Sequence, residues 1–322
     1  MTTFGDAASA EPTPSGDVDG NQNLTVRQAL DKATAEYNDA KGRLDKSVAD
    51  QAAIGDQMAK TQTRLGELQG QAGTIANAAY RGHRVSIVNV VIGAQDADDM
   101  LHNMVTVEYM LQQEDKQLRE IAATQRQLEQ QRKDADAAVA NQQAQLKIME
   151  ANKKAAEDAL RKAGGGADVG SGSAPSGGKV TTNPVARNSD GSFPSEGCSG
   201  DDPTTSGCQS PRTTNMYNEA RKAGFTHYTS CYRSGGGGDH PLGKACDFSA
   251  NASTFVNARA TGADKTYGDN LAAWALANAK NLGIKYVIWY KRIWQPSSGW
   301  KSYGGDGTPA GDHYNHVHIS MQ

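Results

Sequence analysis

The chain has 322 residues, a net charge of -3 and a pI of about 6.2. This length exceeds the usual size of one domain, so two structural units are expected. The small net charge provides no broad basic surface, so neither nucleic acid nor an anionic membrane surface is indicated as a partner.

The sequence also favours an exported protein without a membrane span. Its longest apolar run, Val85 to Ile92, is far shorter than the ~20 residues that cross a bilayer. The chain opens on a polar stretch and not on a signal peptide, so we expect a mature protein whose signal was removed. An even number of cysteines, all after residue 197, suits two disulfides formed in an oxidising compartment. They are Cys198, Cys208, Cys231 and Cys246.

The first half of the chain is predicted to be helical. Residues 1–23 contain prolines, glycines and aspartates without an apolar period, which predicts a disordered leader. Residues 24–163 contain no proline and are rich in Ala, Gln, Lys, Asp and Glu, as long helices require. Apolar residues recur at alternating spacings of three and four, first from Leu30 to Ile75 and then from Met104 to Leu160. We therefore predict an all-α antiparallel coiled-coil hairpin, in which each helix buries its apolar stripe against the other.

The hairpin is expected to turn at an apolar tip near residues 80–105. The first helix is predicted to end at Gly82, and Asp96 or Asp98 can cap the second helix. Two interpretations of the tip stay open. Its apolar residues either pack as a small knot that closes the hairpin or form a Met-containing docking patch for a partner protein.

A Gly/Ser-rich linker at residues 164–195 is expected to separate the hairpin from a compact domain at residues 196–322. Helical and strand periodicities alternate irregularly in this domain, which favours a small α+β fold. The patterns predict helices at 213–222 and 269–281, and strands at 227–233, 245–248, 284–290 and 315–321.

Metal-compatible side chains are concentrated in this domain, which holds five of the seven histidines. A catalytic zinc site takes three protein ligands and leaves a fourth position for water. His240, Asp247 and His318 supply that number. His316 and His318 are two apart on a predicted strand, so their side chains share one face with about 7 Å between the Cβ atoms. This spacing suits one ligand and one neighbouring imidazole.

These residues resemble the zinc peptidases that group lysostaphin, D-Ala-D-Ala peptidases and hedgehog-type domains. The segment HPLGKACD, which runs from His240 to Asp247, is similar to the HxxGxAxD element of that family. Asn315-His-Val-His318 is similar to its closing HxH strand, and Tyr232-Arg-Ser234 looks like the YRS element that precedes the first ligand. The resemblance implies a zinc-peptidase-like domain with an antiparallel sheet.

The resemblance also implies roles for individual residues. His240, Asp247 and His318 would bind Zn²⁺, and His316 would act as a base or stabilise the developing oxyanion. Arg233 would hold the substrate, although a structural salt bridge is the alternative. Many D-Ala-D-Ala members carry a catalytic Glu where this chain has Asn315. The chain therefore looks like the HxH subgroup, and a metal-binding pseudoenzyme stays open.

Two further expectations concern the surroundings of this site. Asp312 and His313 are close enough in sequence to orient the ligands, but a turn-capping Asp and a surface His are equally plausible alternatives. Four cysteines permit three disulfide pairings. The pairing of Cys231 with Cys246 would brace the site, and Cys198 with Cys208 would close a local loop.

The helical half has a resemblance of its own. An exported antiparallel coiled coil with an apolar tip, joined to a hydrolase, resembles bacterial division hydrolases that the FtsEX membrane complex controls. We therefore expect a secreted peptidoglycan hydrolase of the cell-wall space, a zinc metallopeptidase of the D-Ala-D-Ala carboxypeptidase or endopeptidase type. It would cleave stem peptides or cross-links, and the hairpin would dock on a membrane partner. The alternative is a non-catalytic cell-wall-binding adaptor or activator.

Overall fold

A computed structural model describes residues 24–78, 80–81, 93–169, 175–235 and 237–322. The disordered leader predicted at residues 1–23 lies outside this range. Contacts divide the chain into two compact units. One is Lys46–Gln143, and the other combines the described residues up to Asp45 with Ala144–Gln322. The second unit therefore contains one end of each long helix as well as the C-terminal domain.

Two long helices confirm the predicted helical pair. Helix α1 spans Leu24–Ala78 and helix α2 spans Ala97–Lys162. In the Lys46–Gln143 unit, the Ser47 hydroxyl donates to the Ala138 carbonyl at 3.1 Å. Farther along α1, Arg64 contacts Glu120, which lies earlier on α2. The two helices are therefore antiparallel.

Part of the predicted tip, including Val85 to Ile92, lies outside the described residues. In the described part, Asp96 caps α2, because its carboxylate accepts a hydrogen bond from the Asp99 amide at 2.8 Å. Several large apolar side chains in the first turns of α2 are exposed. They are Met100, Leu101, Met104, Val105 and Tyr109. None of the described helices is long and apolar enough to cross a membrane.

The C-terminal domain confirms the predicted α+β layout with an antiparallel sheet. Its helices are α3, Pro211–Lys222, and α4, Gly262–Leu282. A small ribbon pairs β1, Gly200–Asp201, with β2, Cys208–Gln209. The main sheet has six strands, which are β3 Thr229–Ser230, β4 Ala245–Ser249, β5 Ile284–Trp289, β6 Arg292–Gln295, β7 Gly299–Ser302 and β8 His316–Met321. Their order in the sheet is β3-β4-β8-β5-β6-β7, and every neighbouring pair is antiparallel.

The two faces of the sheet are covered by different helices. Val317, Ile319 and Met321 of β8 pack in the cluster that includes the buried residues of α3 and α4. Tyr286 and Ile288 of β5 pack in a second cluster, with apolar side chains from the ends of both long helices. Those helix residues are Leu30, Ala33, Ala156, Ala159 and Leu160. Because side chains alternate along a strand, His316, His318 and Ser320 project opposite to Val317 and Ile319, away from α3 and α4.

Some elements differ from the sequence prediction. The strand predicted at 227–233 is confined to Thr229–Ser230. The amides of Cys231 and Tyr232 instead donate to the side chains of Thr204 and Asp202, at 2.9 and 2.7 Å. Helix α4 begins at Gly262, earlier than predicted, and the hairpin of β6 and β7 was not predicted.

The predicted linker contains no helix among its described residues, and it contacts the sheet domain. The amide of Gly166 donates to the Ser302 carbonyl of β7, and the Ser302 amide donates to Ala167. Farther along, the amides of Thr181 and Thr182 donate to the Asn278 side chain of α4, at 2.8 and 3.2 Å. These hydrogen bonds place both described parts of the linker, residues 164–169 and 175–195, in contact with the domain.

Candidate metal centre

Strand pairing brings two of the predicted ligands together. Strands β4 and β8 are antiparallel neighbours, and Asp247 lies directly opposite His318 in their register. Directly opposed side chains share one face of a sheet. His316 lies opposite Ser249 and is two residues from His318, so it is on the same face. The sequence predicted this shared face for the two histidines.

The third predicted ligand, His240, begins a short 3-10 turn, His240–Leu242. Gly243 ends the turn with a φ of 64°, in the left-handed region that favours glycine. A Cβ atom at Gly243 would also overlap the Cys198 sulfur and approach the Cys208 carbonyl oxygen. The glycine of the HPLGKACD segment is therefore required by both conformation and space.

The three predicted ligands converge. His318 Nδ1 lies 2.8 Å from Asp247 Oδ1 and 3.2 Å from His240 Nε2, and His240 Nε2 lies 3.1 Å from Asp247 Oδ2. Tetrahedral zinc with ligands at about 2.0–2.2 Å separates neighbouring ligand atoms by about 3.3 Å. The three side chains are buried and can hold a metal ion with little rearrangement.

The second nitrogen of each imidazole has a partner that orients the ring. His240 Nδ1 contacts the Cys231 carbonyl oxygen, which can only accept, so Nδ1 carries the proton and Nε2 presents a lone pair. His318 Nε2 contacts the Ser320 hydroxyl at 2.8 Å, which leaves Nδ1 for the metal. Such outer partners usually fix the tautomer of a metal-binding histidine. Ser320 was not predicted as a site residue from the sequence.

The disulfides follow the favoured pairing, Cys198 with Cys208 and Cys231 with Cys246. The second bond joins the residue whose carbonyl holds His240 to the strand residue that precedes Asp247. It therefore links the backbone carbonyl that orients His240 to the strand that carries Asp247.

The charges in the site favour an ionised Asp247. Burial alone would raise the pKa of its carboxyl group, but the adjacent imidazoles of His240, His316 and His318 hold that pKa well below the usual value. A carboxylate is the form that binds a cation. The donor set is therefore ready for a metal at neutral pH.

His316 lies beside the three ligands and is held by Asn315. Asn315 donates through its amide nitrogen to the Val256 carbonyl at 2.8 Å, so its side-chain oxygen faces His316 Nδ1, also at 2.8 Å. This arrangement places the His316 proton on Nδ1, and Nε2 lies 3.7 Å from Asp247 Oδ1. The Asn that replaces the Glu of the resembled family therefore orients the neighbouring imidazole.

Arg233 also reaches the site, where it contacts a ligand. Its Nη1 lies 2.9 Å from Asp247 Oδ2, and its side chain is 24% exposed whereas that of Asp247 is 5% exposed. The ion pair matches the structural alternative for Arg233. The predicted substrate-binding role stays a prediction.

The other two candidates have different surroundings. Asp312 pairs with Lys291 at 2.9 Å and accepts a hydrogen bond from the Gly307 amide. His313 is buried, with its ring centroid 4.6 Å from that of His316, and its backbone has a positive φ of 54°. Burial and the nearby His316 and His318 lower the pKa of His313 well below 6.5. His313 is therefore a neutral neighbour of the site and not a surface residue.

Comparison with known proteins relates part of this unit to one family. A protein-family model described as "VldE, C-terminal domain" matches residues 205–314, about one third of the chain. The matched stretch includes Arg233, His240 and Asp247 and ends before His316 and His318. No curated protein and no solved structure matches the chain. The similarity is therefore limited to part of the sheet-containing unit.

Proposed function

We propose that the chain is a secreted bacterial peptidoglycan hydrolase, a zinc-dependent peptidase that cleaves stem peptides or cross-links. The observation that carries this proposal is the convergence of His240, Asp247 and His318 with His316 beside them. The same residues carry the resemblance to the zinc peptidases. Two disulfides support export, because such bonds persist in oxidising compartments.

The donor set supports zinc as the metal. Two imidazole nitrogens and one carboxylate oxygen are typical ligands of catalytic zinc, and a fourth position remains for water or substrate. When bound, zinc would lower the pKa of a water molecule to about 7 and polarise the scissile carbonyl.

The neighbouring residues supply the remaining chemistry. His316 has its Nδ1 proton directed at Asn315, so Nε2 is the atom that takes up a proton from the attacking water and later returns it to the leaving amine. Arg233 has a planar guanidinium at the edge of the site, which suits a carboxylate or carbonyl of a peptide substrate. Its contact with Asp247 positions that guanidinium next to the metal ligands.

This proposal is tested by removing and restoring the metal. The purified chain is stripped with a chelator, reconstituted with one equivalent of zinc and incubated with purified muropeptides, and the products are identified by mass spectrometry. We expect cleavage only in the reconstituted sample, and neither zinc retention nor cleavage by His318→Ala. Equal cleavage by the stripped chain or by His318→Ala would refute the metallopeptidase.

The helical pair is proposed to position or regulate the enzyme. In this proposal its tip docks on a division-associated membrane complex of the FtsEX type. The exposed apolar side chains in the first turns of α2, such as Leu101 and Val105, support such a docking role.

The second candidate is a non-catalytic adaptor or activator that binds the cell wall. One observation favours it. Asp247 is paired with Arg233 and His240, so its carboxylate already has protein partners without a metal ion. An adaptor of this kind would bind muropeptides without cleaving them, whatever its zinc content. The reconstitution experiment therefore separates the two candidates.

A further inference from the structure

A group of four charged side chains, three of them buried, lies next to the metal centre. Arg27 and Asp31 come from the first turns of α1, Asp239 directly precedes His240, and Lys285 lies on β5. We call these four residues the charge cluster. Its two cations and two anions balance, which is the condition under which buried charges are tolerated.

Ion pairs and hydrogen bonds connect the residues of the charge cluster with one another and with Tyr286. Lys285 Nζ lies 2.7 Å from Asp239 Oδ1 and 3.6 Å from Asp31. Arg27 Nη2 donates to the Tyr286 hydroxyl at 3.1 Å, and that hydroxyl lies 3.3 Å from Asp239 Oδ2. Helix α1 therefore reaches Asp239 by two routes, one through Lys285 and one through Tyr286.

The charge cluster also reaches the metal ligands. Asp239 directly precedes the ligand His240 in the chain. The Tyr286 hydroxyl, which contacts Asp239 and Arg27, belongs to the ring that lies against the ligand His318. The Tyr286 ring stacks on the His318 ring, with centroids 5.7 Å apart and planes inclined by 15°.

We propose that Arg27 and Asp31 are positioning residues of the metal centre. They act on His318 through Tyr286, and on His240 through Lys285 and Asp239. The affinity for zinc then depends on whether the beginning of α1 stays packed against the sheet. Partners behind a ligating histidine fix its tautomer and ring orientation, and losing one usually lowers metal affinity about 10- to 100-fold. Here the contacts behind the ligands end at Arg27 and Asp31 of α1, more than two hundred residues from Tyr286 and Lys285 in sequence.

This coupling would give the helical pair a direct way to regulate the enzyme. Helix α1 is continuous from Leu24 to Ala78, so a partner that displaces its beginning would loosen the metal site. The inference rests on the proposed metal site but not on the proposed peptidase activity.

The test measures zinc affinity of the full chain by competition with a chromophoric chelator, at a temperature well below unfolding. Arg27→Met removes the guanidinium, and Tyr286→Phe removes only the linking hydroxyl and keeps the ring. The matched control is Arg43→Met, which removes an exposed α1 arginine that pairs with Asp190 at 2.9 Å. We expect about tenfold weaker zinc binding for the first two variants and unchanged binding for the control.

The double variant distinguishes a connected network from general destabilisation. If Arg27 acts through the Tyr286 hydroxyl, Arg27→Met combined with Tyr286→Phe binds zinc as weakly as the weaker single variant and no more weakly. The absorption spectrum of the Co²⁺-substituted chain should also shift in Tyr286→Phe, because the ligand geometry changes.

The results of these measurements separate a failure of the inference from a failure of the proposed metal site. Wild-type zinc affinity and an unaltered Co²⁺ spectrum in Tyr286→Phe would overturn the inference, even if Arg27→Met does not fold. Losses that add in the double variant would also overturn it. A wild-type chain that binds no zinc refutes the proposed metal site itself, and one that binds zinc without cleaving peptides leaves the inference standing.

Discussion

The histidine side chains of the candidate metal centre are oriented by hydrogen-bond partners that the motif spacing does not specify. The spacing of HPLGKACD and the closing HxH predicted that His240, Asp247 and His318 act together, and their ligand atoms do converge. The spacing could not show which ring nitrogen faces the metal, because that depends on the partner behind each ring. Asn315 and Ser320 orient His316 and His318 through side-chain contacts that the motif spacing does not encode.

Replacing Gly243 with alanine should destabilise the fold for two reasons, its left-handed backbone and the lack of space for a Cβ atom. Gly243→Ala should cost about 1–2 kcal/mol for the left-handed backbone and about 1–3 kcal/mol more for the overlap with Cys198 and the Cys208 carbonyl. Gly307 has a φ of 88°, but no atom would lie within 4 Å of a Cβ added there, so Gly307→Ala should show only the first cost. Chemical denaturation measures both. Equal losses of stability would contradict the assigned overlap.

The lowered pKa of His313 predicts how the stability of the fold depends on pH. This pKa is well below 6.5 in the folded protein, so below about pH 6.5 the unfolded chain binds a proton that the folded chain excludes. The contribution of His313 to stability is therefore full above pH 6.5 and falls by about 1 kcal/mol per pH unit below it, until the folded pKa is reached.

The check for His313 compares wild type with His313→Asn, which accepts the positive φ. Unfolding free energies are measured in chelator between pH 7 and pH 5. The wild type should lose stability more steeply than the variant as pH falls. Parallel pH profiles would show that His313 titrates normally in the folded protein.

At the scale of elements, α1 and α2 contribute to the core of the C-terminal domain. The heptad pattern predicted both helices and their antiparallel pairing. It did not predict that Leu30 and Leu160 pack against Tyr286 of the sheet. An apolar stripe has the same period whether its partner is a helix or a strand, so the period alone cannot identify that partner.

This packing predicts the effect of truncating Leu160. The side chain is fully buried, so Leu160→Ala should reduce the free energy of unfolding by about 2–5 kcal/mol. Leu118 lies on the same helix and is 63% exposed, so Leu118→Ala should change stability by about 0.5 kcal/mol or less. Thermal unfolding of both variants tests the contrast. A tolerated Leu160→Ala would mean that the helix end is not packed on the sheet.

At the scale of the whole molecule, the sequence predicted the order of helical pair and sheet domain but not where the compact units divide. The predicted linker is rich in Gly and Ser, yet the contact boundary falls inside both helices, at Asp45 and Ala144. Composition marks where a chain can be flexible, whereas the boundary depends on contacts between residues distant in sequence. The predicted domain limits at the linker stay a prediction.

The proposed docking role makes a prediction for the exposed start of α2. Replacing Leu101 and Val105 together with Asp should weaken binding to the extracytoplasmic part of an FtsEX-type complex at least tenfold, because both side chains are well exposed and available to a partner. Biolayer interferometry measures the affinity, and circular dichroism confirms helix content. Unchanged binding by the folded double variant would exclude this surface as the docking site.

In the proposed enzyme, a metal-dependent peptidase site lies on β4 and β8, and His316 is its proton-transfer group. The most direct measurement compares the zinc-loaded wild type with zinc-loaded His316→Ala on purified muropeptides, with zinc content determined in the same samples. We predict peptide cleavage by the wild type and equal zinc content but at least about 100-fold slower cleavage by the variant. A zinc-loaded wild type that leaves muropeptides intact would refute the proposed peptidase, and a variant that cleaves them equally fast would exclude His316 as its proton-transfer group.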